Sequence, residues 1–286
     1  MSRGRVPAPP AGYERVSVEG VEGAALASLA DAVFEALTLP DGAPAGAVGT
    51  LYEYAARHPR ARAMSGRGVA YAVPLPDGAT GVVVRRSRHG GLLAPLTGER
   101  FLAPTRAPYE LDVSLRLRAL GVPTPELVAY LTYPAGPFLR RADVATREVP
   151  RARDLAVSLL GTADERTKRG WLEATARLLA QLRAAGARHA DLNLKNVLLA
   201  PDEGGGCRAH VLDVDRVTLG APGDPRAARA NFDRLARSAR KWRDLYGARA
   251  TEEDLTWLLA RSEALAGGAS AEREPAPVSG RGRGGR

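Results

Sequence analysis

The sequence predicts an α+β chain of two lobes: a small antiparallel-sheet lobe carrying one helix, then a mainly helical lobe. Three observations lead there. Residues 66–73, 74–80 and 81–85 read as strand, turn and strand, with glycines at the entry of the hairpin and three consecutive valines, Val82 to Val84, at its exit. Trp171, Thr175, Leu178, Leu179 and Leu182 recur on one face of a helix. Two apolar runs, Val197-Leu-Leu199 and Val211-Leu212, directly follow and precede polar residues, which puts amides and carboxylates at strand ends, where sites rather than cores are built.

Taken in order, residues 1–22 are rich in Pro, Gly and charge and are expected to be poorly ordered. Leu26, Leu29, Ala30, Val33, Phe34 and Leu37 lie on one helical face over 24–39, so residues 23–63 are expected to form a helical N-terminal extension. The sheet lobe follows over 64–146. Within it, residues 108–120 read as a helix stopped by Gly121-Val-Pro-Thr-Pro125, and 128–132 and 138–146 as strands joined by Pro134-Ala-Gly-Pro137. Arg147-Glu-Val-Pro150 reads as the link to a helical lobe over 147–266. There the helix through Trp171 stops at Ala184-Ala-Gly186, and residues 231–246 form an amphipathic helix. Its inner face carries Phe232, Leu235, Ala239 and Trp242, and its basic outer face Arg234, Arg237, Arg240 and Lys241. Residues 267–286 form a Gly/Arg-rich tail expected to be disordered.

Lys and Arg total 41 against 32 Asp and Glu, a net charge of +9, which favours an acidic partner such as a nucleotide, a phosphorylated glycolipid, an anionic membrane or a nucleic acid. The Ala-, Arg-, Gly- and Pro-rich composition is also what a GC-rich genome produces, so charge alone assigns no partner. Aromatic residues make up only 5%, and no aromatic-rich basic strand suggests a single-strand nucleic-acid binder. Cys207 is the single cysteine, which rules out an intramolecular disulfide and a cysteine zinc cluster and points to a reducing cytoplasm. No signal-peptide core is evident, and no run reaches the ~18–20 apolar residues of a membrane span, so membrane contact is expected to be peripheral.

The chemistry is concentrated in Arg188-His-Ala-Asp-Leu-Asn-Leu-Lys-Asn196 and Leu212-Asp213. His-x-Asp-x-x-x-x-Asn is the spacing of a kinase catalytic loop: a carboxylate accepts the proton of the attacking hydroxyl, and an amide five residues on holds magnesium. Asp191 and Asn196 have that spacing, and Asp213, after a Gly-rich turn, is the candidate second metal ligand. Singly, each residue is equally at home as a helix cap or turn former. His189 is expected to brace the loop backbone. Where a kinase has a lysine on its third strand, this chain has Arg85 and Arg86. Arg85, oriented by Glu110, is the candidate for nucleotide phosphate, although Glu110 would also suit a solvated first helical turn. Gly66 and Gly68 are a fragment of a phosphate flap, and an ordinary hairpin would use them equally well.

These pieces resemble the lipopolysaccharide kinases, and within them the 3-deoxy-D-manno-octulosonic acid (Kdo) kinases of Gram-negative bacteria. The resemblance runs from about residue 66 to 260. It is carried by residues 83–92, by Tyr109-Glu110 with Leu120-Gly-Val-Pro-Thr-Pro125, by His189-Ala-Asp-Leu-Asn193 with Asn196, by Leu212-Asp-Val-Asp-Arg216, and by Asn231 with Arg234, Arg237-Ser238 and Arg240-Lys241. It implies a protein-kinase-like fold and an ATP- and Mg2+-dependent enzyme. That enzyme would phosphorylate a Kdo hydroxyl of a lipid A precursor, peripherally on the cytoplasmic face of the inner membrane. Arg85 and Glu110 would serve the nucleotide, Asp191 would be the base, and Asn196 and Asp213 would hold the metal. The alternatives are another phosphotransferase, with a heptose, aminoglycoside, other small-molecule or protein acceptor, and a catalytically silent kinase-like binding module.

Overall fold

A computed structural model describes residues 8–38, 48–65, 68–87, 101–102, 105–136, 138–161 and 164–271. The chain divides into two units, Met1–Ala152 with His210–Val217, and Arg153–Ala209 with Thr218–Arg286.

The first unit comprises β1 (Tyr13–Val18), β2 (Val21–Leu26), α1 (Ala30–Ala36), α2 (Leu51–Arg57), β3 (Arg62–Ser65), β4 (Val69–Pro74), β5 (Gly81–Arg86), β6 (Phe101–Leu102), α3 (Ala107–Ala119), β7 (Leu127–Pro134) and β8 (Leu139–Arg147). Its antiparallel sheet has the order β1-β2-β7-β8-β5-β4-β3, with β6 on β8. Because side chains alternate along a strand, the sheet has two apolar faces. Val16, Ala25, Val82, Val84 and Ala145 pack with Val33 of α1, Leu37 just past it and Leu51 of α2. Tyr13, Ala24, Tyr130 and Val144 pack with Ala107 and Leu111 of α3.

Two expectations are corrected here. Residues 13–22 are not a disordered leader, and 23–63 are not a separate helical extension: β1 and β2 are strands of the main sheet, and α1 and α2 cover one of its faces. Two observations explain the difference. Glu19 and Gly20 both have positive φ, 44° and 81°, which closes a two-residue turn whose twist suits a hairpin, with Val18 opposite Val21. Ala24, Ala25 and Leu26, which fit a helical stripe equally well, are drawn into the sheet by β7. There Gly23 admits so close an approach that a Cβ would lie 2.0 Å from the Tyr130 carbonyl oxygen.

The sheet in turn anchors α2. Thr50 and Glu53 form a reciprocal capping box. The next two free N–H groups are met from β7 and β8: Leu51 N–H donates to the Tyr133 hydroxyl and Tyr52 N–H to the Asp143 carboxylate, each at 2.9 Å. Burial pushes the Asp143 carboxyl up to about 6, against the pull of the Tyr52 N–H and the Arg86 guanidinium 3.9 Å away.

The second unit contains β9 (Arg153–Asp154), α4 (Leu155–Leu160), α5 (Glu165–Ala184), β10 (Ala187–His189), β11 (Val197–Pro201), most of β12 (Cys207–Val211) and β13 (Val217–Leu219), α6 (Pro225–Tyr246) and α7 (Glu252–Ala271). Two small sheets, β12-β11-β9 and β10-β13, frame its loops. The expected stop after α5 is strict: Gly186 has φ 64°, and a Cβ there would lie 2.5 Å from the Ala221 carbonyl oxygen. α7 starts with a reciprocal Thr251/Asp254 cap and is tied to α5 by Lys168–Asp254 at 3.0 Å and by a two-bond Arg261–Glu173 pair. Residues 267–271, expected in the disordered tail, continue α7, since adding a turn to an existing helix needs no new nucleus. Residues 272–286 lie outside the described residues.

The Asp143 carboxyl is protonated more readily folded than unfolded, so its effect on stability turns over between its ordinary value near 4 and about 6. Unfolding in urea at several pH values should show the native protein gaining stability relative to Asp143→Asn, on the order of 2–3 kcal/mol, as pH falls through that window. A difference independent of pH would contradict the burial argument.

Candidate active site

In the first unit the site grows from the end of β5. Arg85 and Arg86 are neighbours and so face opposite sides of the sheet. Arg86 lies toward α2, its guanidinium 4.3 Å from the Tyr52 ring centroid. Arg85 lies toward α3, where its Nη2 donates to Oε1 of buried Glu110 at 2.6 Å. Asp213 Oδ1 is 4.0 Å from the same guanidinium. Asp215, two residues on, is 3.9 Å from Arg106 and 3.6 Å from Arg216.

Burial works against the Arg85 charge, but Glu110, Asp213 and Asp215 outweigh it and hold the guanidinium protonated. Burial also pushes Glu110 up to about 6, with Asp215 and Asp213 adding to the rise and Arg85 opposing it. The Asp215 carboxyl is raised by burial and by Asp213. Asp213 has φ 53° and ψ 48°, a left-handed conformation that costs most L-residues about 1–2 kcal/mol and that aspartate is among the few to visit. Both ends of its segment are held, Val211 N–H by the Pro123 carbonyl at 2.9 Å and the Val217 carbonyl by the Tyr109 hydroxyl at 2.7 Å.

In the second unit Asp191 lies between β10 and a 3-10 turn over Leu194–Asn196. His189, fully buried, braces this loop as expected: its Nδ1 accepts the Asp191 N–H at 3.0 Å. The His189 N–H donates to Asn231 Oδ1 at 2.9 Å, and Asn231 Nδ2 donates to the Ala187 carbonyl at 2.8 Å. The Asp191 carbonyl accepts from Asn196 Nδ2 at 2.8 Å and Asn193 Nδ2 at 3.1 Å, and Leu194 N–H donates to Ser238 Oγ at 3.2 Å. With its nitrogen engaged, Asn196 offers Oδ1, an oxygen suited to a hard cation.

Of the residues expected at the site, Arg85, Glu110 and Asp213 are thus together in one unit, and Asp191 and Asn196 in the other. Gly68 lies in the bend before β4, and Gly66 lies outside the described residues. Three residues went unrecognised as parts of the site. Asp215 adds a second carboxylate beside Asp213, a role that the Asp-x-Asp spacing could have suggested. Asn231 and Ser238, read as part of a basic segment, are instead the points at which α6 grips the loop. Their signal was spacing: seven residues is two helical turns, so two small polar side chains share one edge of the helix.

The lipopolysaccharide kinase (Kdo/WaaP) family profile matches residues 64–261. The chain belongs to that family. The 3-deoxy-D-manno-octulosonic acid kinase of Vibrio parahaemolyticus serotype O3:K6 is 29% identical to it, over 62% of this chain and 71% of the relative. Those of Xylella fastidiosa strain 9a5c and Stenotrophomonas maltophilia are each 33% identical, over 64% and 66% of this chain and 72% and 71% of their own. Among solved structures, WaaP in complex with acyl carrier protein aligns with 76% of this chain and 93% of its own, at 20% identity and a TM-score of 0.44. As a member of this family the protein has the kinase-like α+β fold and is a phosphotransferase with an alcohol acceptor, drawing its phosphoryl group from a nucleotide.

Asn231→Ala would leave the His189 N–H and Ala187 carbonyl buried without partners. Urea unfolding of the full chain should show a loss of about 2–3 kcal/mol, with about 1 kcal/mol for Ser238→Ala. Losses below half these values would show that α6 does not anchor the loop.

Proposed function

We propose that the protein transfers the terminal phosphoryl group of ATP, with magnesium, to a hydroxyl of the Kdo sugar on a lipid A precursor. The observation that carries this reading is the likeness to curated Kdo kinases, together with a family profile whose span, residues 64–261, includes Arg85, Glu110, Asp191, Asn196 and Asp213. Asp191 is the general base: a carboxylate on a backbone held by His189, Asn193 and Asn196 can take the proton of an acceptor hydroxyl as it attacks. Arg85, always charged and oriented by Glu110, binds phosphate oxygens through its planar fork, in place of the lysine usual in kinases. Asn196 Oδ1 and the Asp213 carboxylate are hard oxygen donors that suit magnesium, and the chain leads from one to the other through the β11–β12 hairpin. When held by these oxygens, magnesium would neutralise charge on the phosphates. The acceptor is lipid-borne, so the enzyme works peripherally on the cytoplasmic face of the inner membrane; among the described residues no helix is long and apolar enough to cross a bilayer.

Labelled ATP and magnesium offered with Kdo-bearing lipid A precursor, heptosylated core and a generic protein should give label on the Kdo-bearing acceptor. Label on protein alone would overturn the reading. Asp191→Asn should lower turnover by at least about a hundredfold while ATP affinity stays within about twofold of the native value. Asp213→Ala should weaken nucleotide binding in calorimetry only when magnesium is present, and unchanged affinity in the presence of the metal would remove Asp213 from its site.

A further inference from the structure

Among the described residues of the second unit, large apolar side chains remain exposed on two helices that adjoin. On α4, Val157 and Leu160 are 48% and 41% exposed, and on the last turn of α6, Leu245 and Tyr246 are 61% and 58% exposed. These two helices adjoin through a hydrogen bond from Arg249 N–H, just past α6, to the Leu159 carbonyl at 2.8 Å. Lys195, in the turn that carries Asn196, joins them: it acts on Asp154 at the N-cap of α4, and its Nζ lies 5.5 Å from the Trp242 ring. Trp242 in turn packs on Tyr246 with ring centroids 4.8 Å apart.

Only part of the charge on α6 is paired within the protein. Arg229, Arg240 and Arg243 are engaged by Asp233 and Glu252, and Asp244 in this last turn is engaged by Arg243. Arg237 and Lys241, one turn apart and followed one turn later by Leu245, are exposed and have no acidic partner among the described residues. Aliphatic tips, a Trp–Tyr pair and cations free of internal partners together match the boundary of an anionic bilayer. There apolar ends enter the acyl region, indole and phenol rings sit among the headgroups, and Lys and Arg meet lipid phosphate. A nucleic acid or other soluble polyanion would use the cations but leave Leu245 and Val157 in water.

We propose that the α4–Lys195–α6 face docks the protein on an anionic phospholipid bilayer, with Leu245 and Tyr246 inserting and Arg237 and Lys241 contacting lipid phosphates. Its purpose rests on the lipid-borne acceptor proposed above, since the same face includes the turn that follows Asp191, but the docking itself can be measured without catalysis.

The test is flotation of the full chain with vesicles of phosphatidylcholine alone and of equimolar phosphatidylcholine and phosphatidylglycerol. Binding is expected only to the anionic vesicles, with a blue shift in tryptophan emission that Trp242→Phe removes. Lys241→Glu should weaken partitioning by roughly tenfold or more, since it replaces an attraction with a repulsion. Leu245→Ser with Tyr246→Ser should weaken it similarly while leaving retention on heparin unchanged. Transfer to a short-chain, water-soluble acceptor should be unaffected in both variants, which separates a failure of docking from a failure of the assigned reaction. Absence of binding to anionic vesicles would overturn the proposal, as would native-level binding by the Leu245/Tyr246 variant, which would reduce the face to a charge effect.

Discussion

A single buried amide holds the loop of the second unit in place. Asn231 accepts the His189 N–H and donates to the Ala187 carbonyl, so it bonds to β10 as a residue of a neighbouring strand would. A helix has no backbone groups to offer sideways, and the side-chain amide, with one donor and one acceptor suitably spaced, supplies them. β10 is thereby paired on one edge by β13 and on the other by a helix. From this fixed strand the rest follows: His189 is held, its ring nitrogen receives the Asp191 N–H, and the Asp191 carbonyl organises Asn193 and Asn196. Removing the amide would free a chain of hydrogen bonds that ends at the proposed base.

The first unit solves a different problem, that of keeping a cation inside a sheet. A guanidinium at Arg85 is tolerable there because Glu110 is buried against it and Asp213 and Asp215 stand near. Three carboxylates around one arginine are also mutually repulsive, which is why burial and its acidic neighbours together raise Glu110 to about 6. The left-handed backbone at Asp213 adds local strain that the hydrogen bonds flanking it must offset. Such an arrangement suits a ligand that brings both phosphate anions and a divalent cation, because each sign of charge finds a partner already in place.

The two ends of α6 divide its work. Toward its N-terminus it presents small polar groups inward, to the loop. Toward its C-terminus it leaves Leu245 and Tyr246 exposed, beside Arg237 and Lys241, which are exposed too and have no acidic partner among the described residues. On the proposed reading, one helix would hold both the Asp191 loop and the docking face, and so fix the proposed base relative to the bilayer plane.

Much of this was legible from residue order. α5 and α6 show 3.6-residue apolar periods, α5 with Gly186 as its stop, β4 and β5 flank the expected turn, and the candidate residues Asp191, Asn196 and Asp213 stand out by a spacing that phosphoryl transfer would require. Tertiary contacts decided the remainder. Residues 24–26 suit a helix or a strand, and only pairing with β7 makes them strand. Arg85 and Arg86 both follow the valine run, and the register of β5 turns Arg85 to Glu110, the partner expected for it, and Arg86 to Asp143, a partner that no local signal suggested. The Tyr133 and Asp143 caps on α2 act across 82 and 91 residues. Local sequence thus determined which elements and which chemistry this protein has; which side chain meets which depended on strand register and on partners far along the chain, and no local period or spacing encodes those.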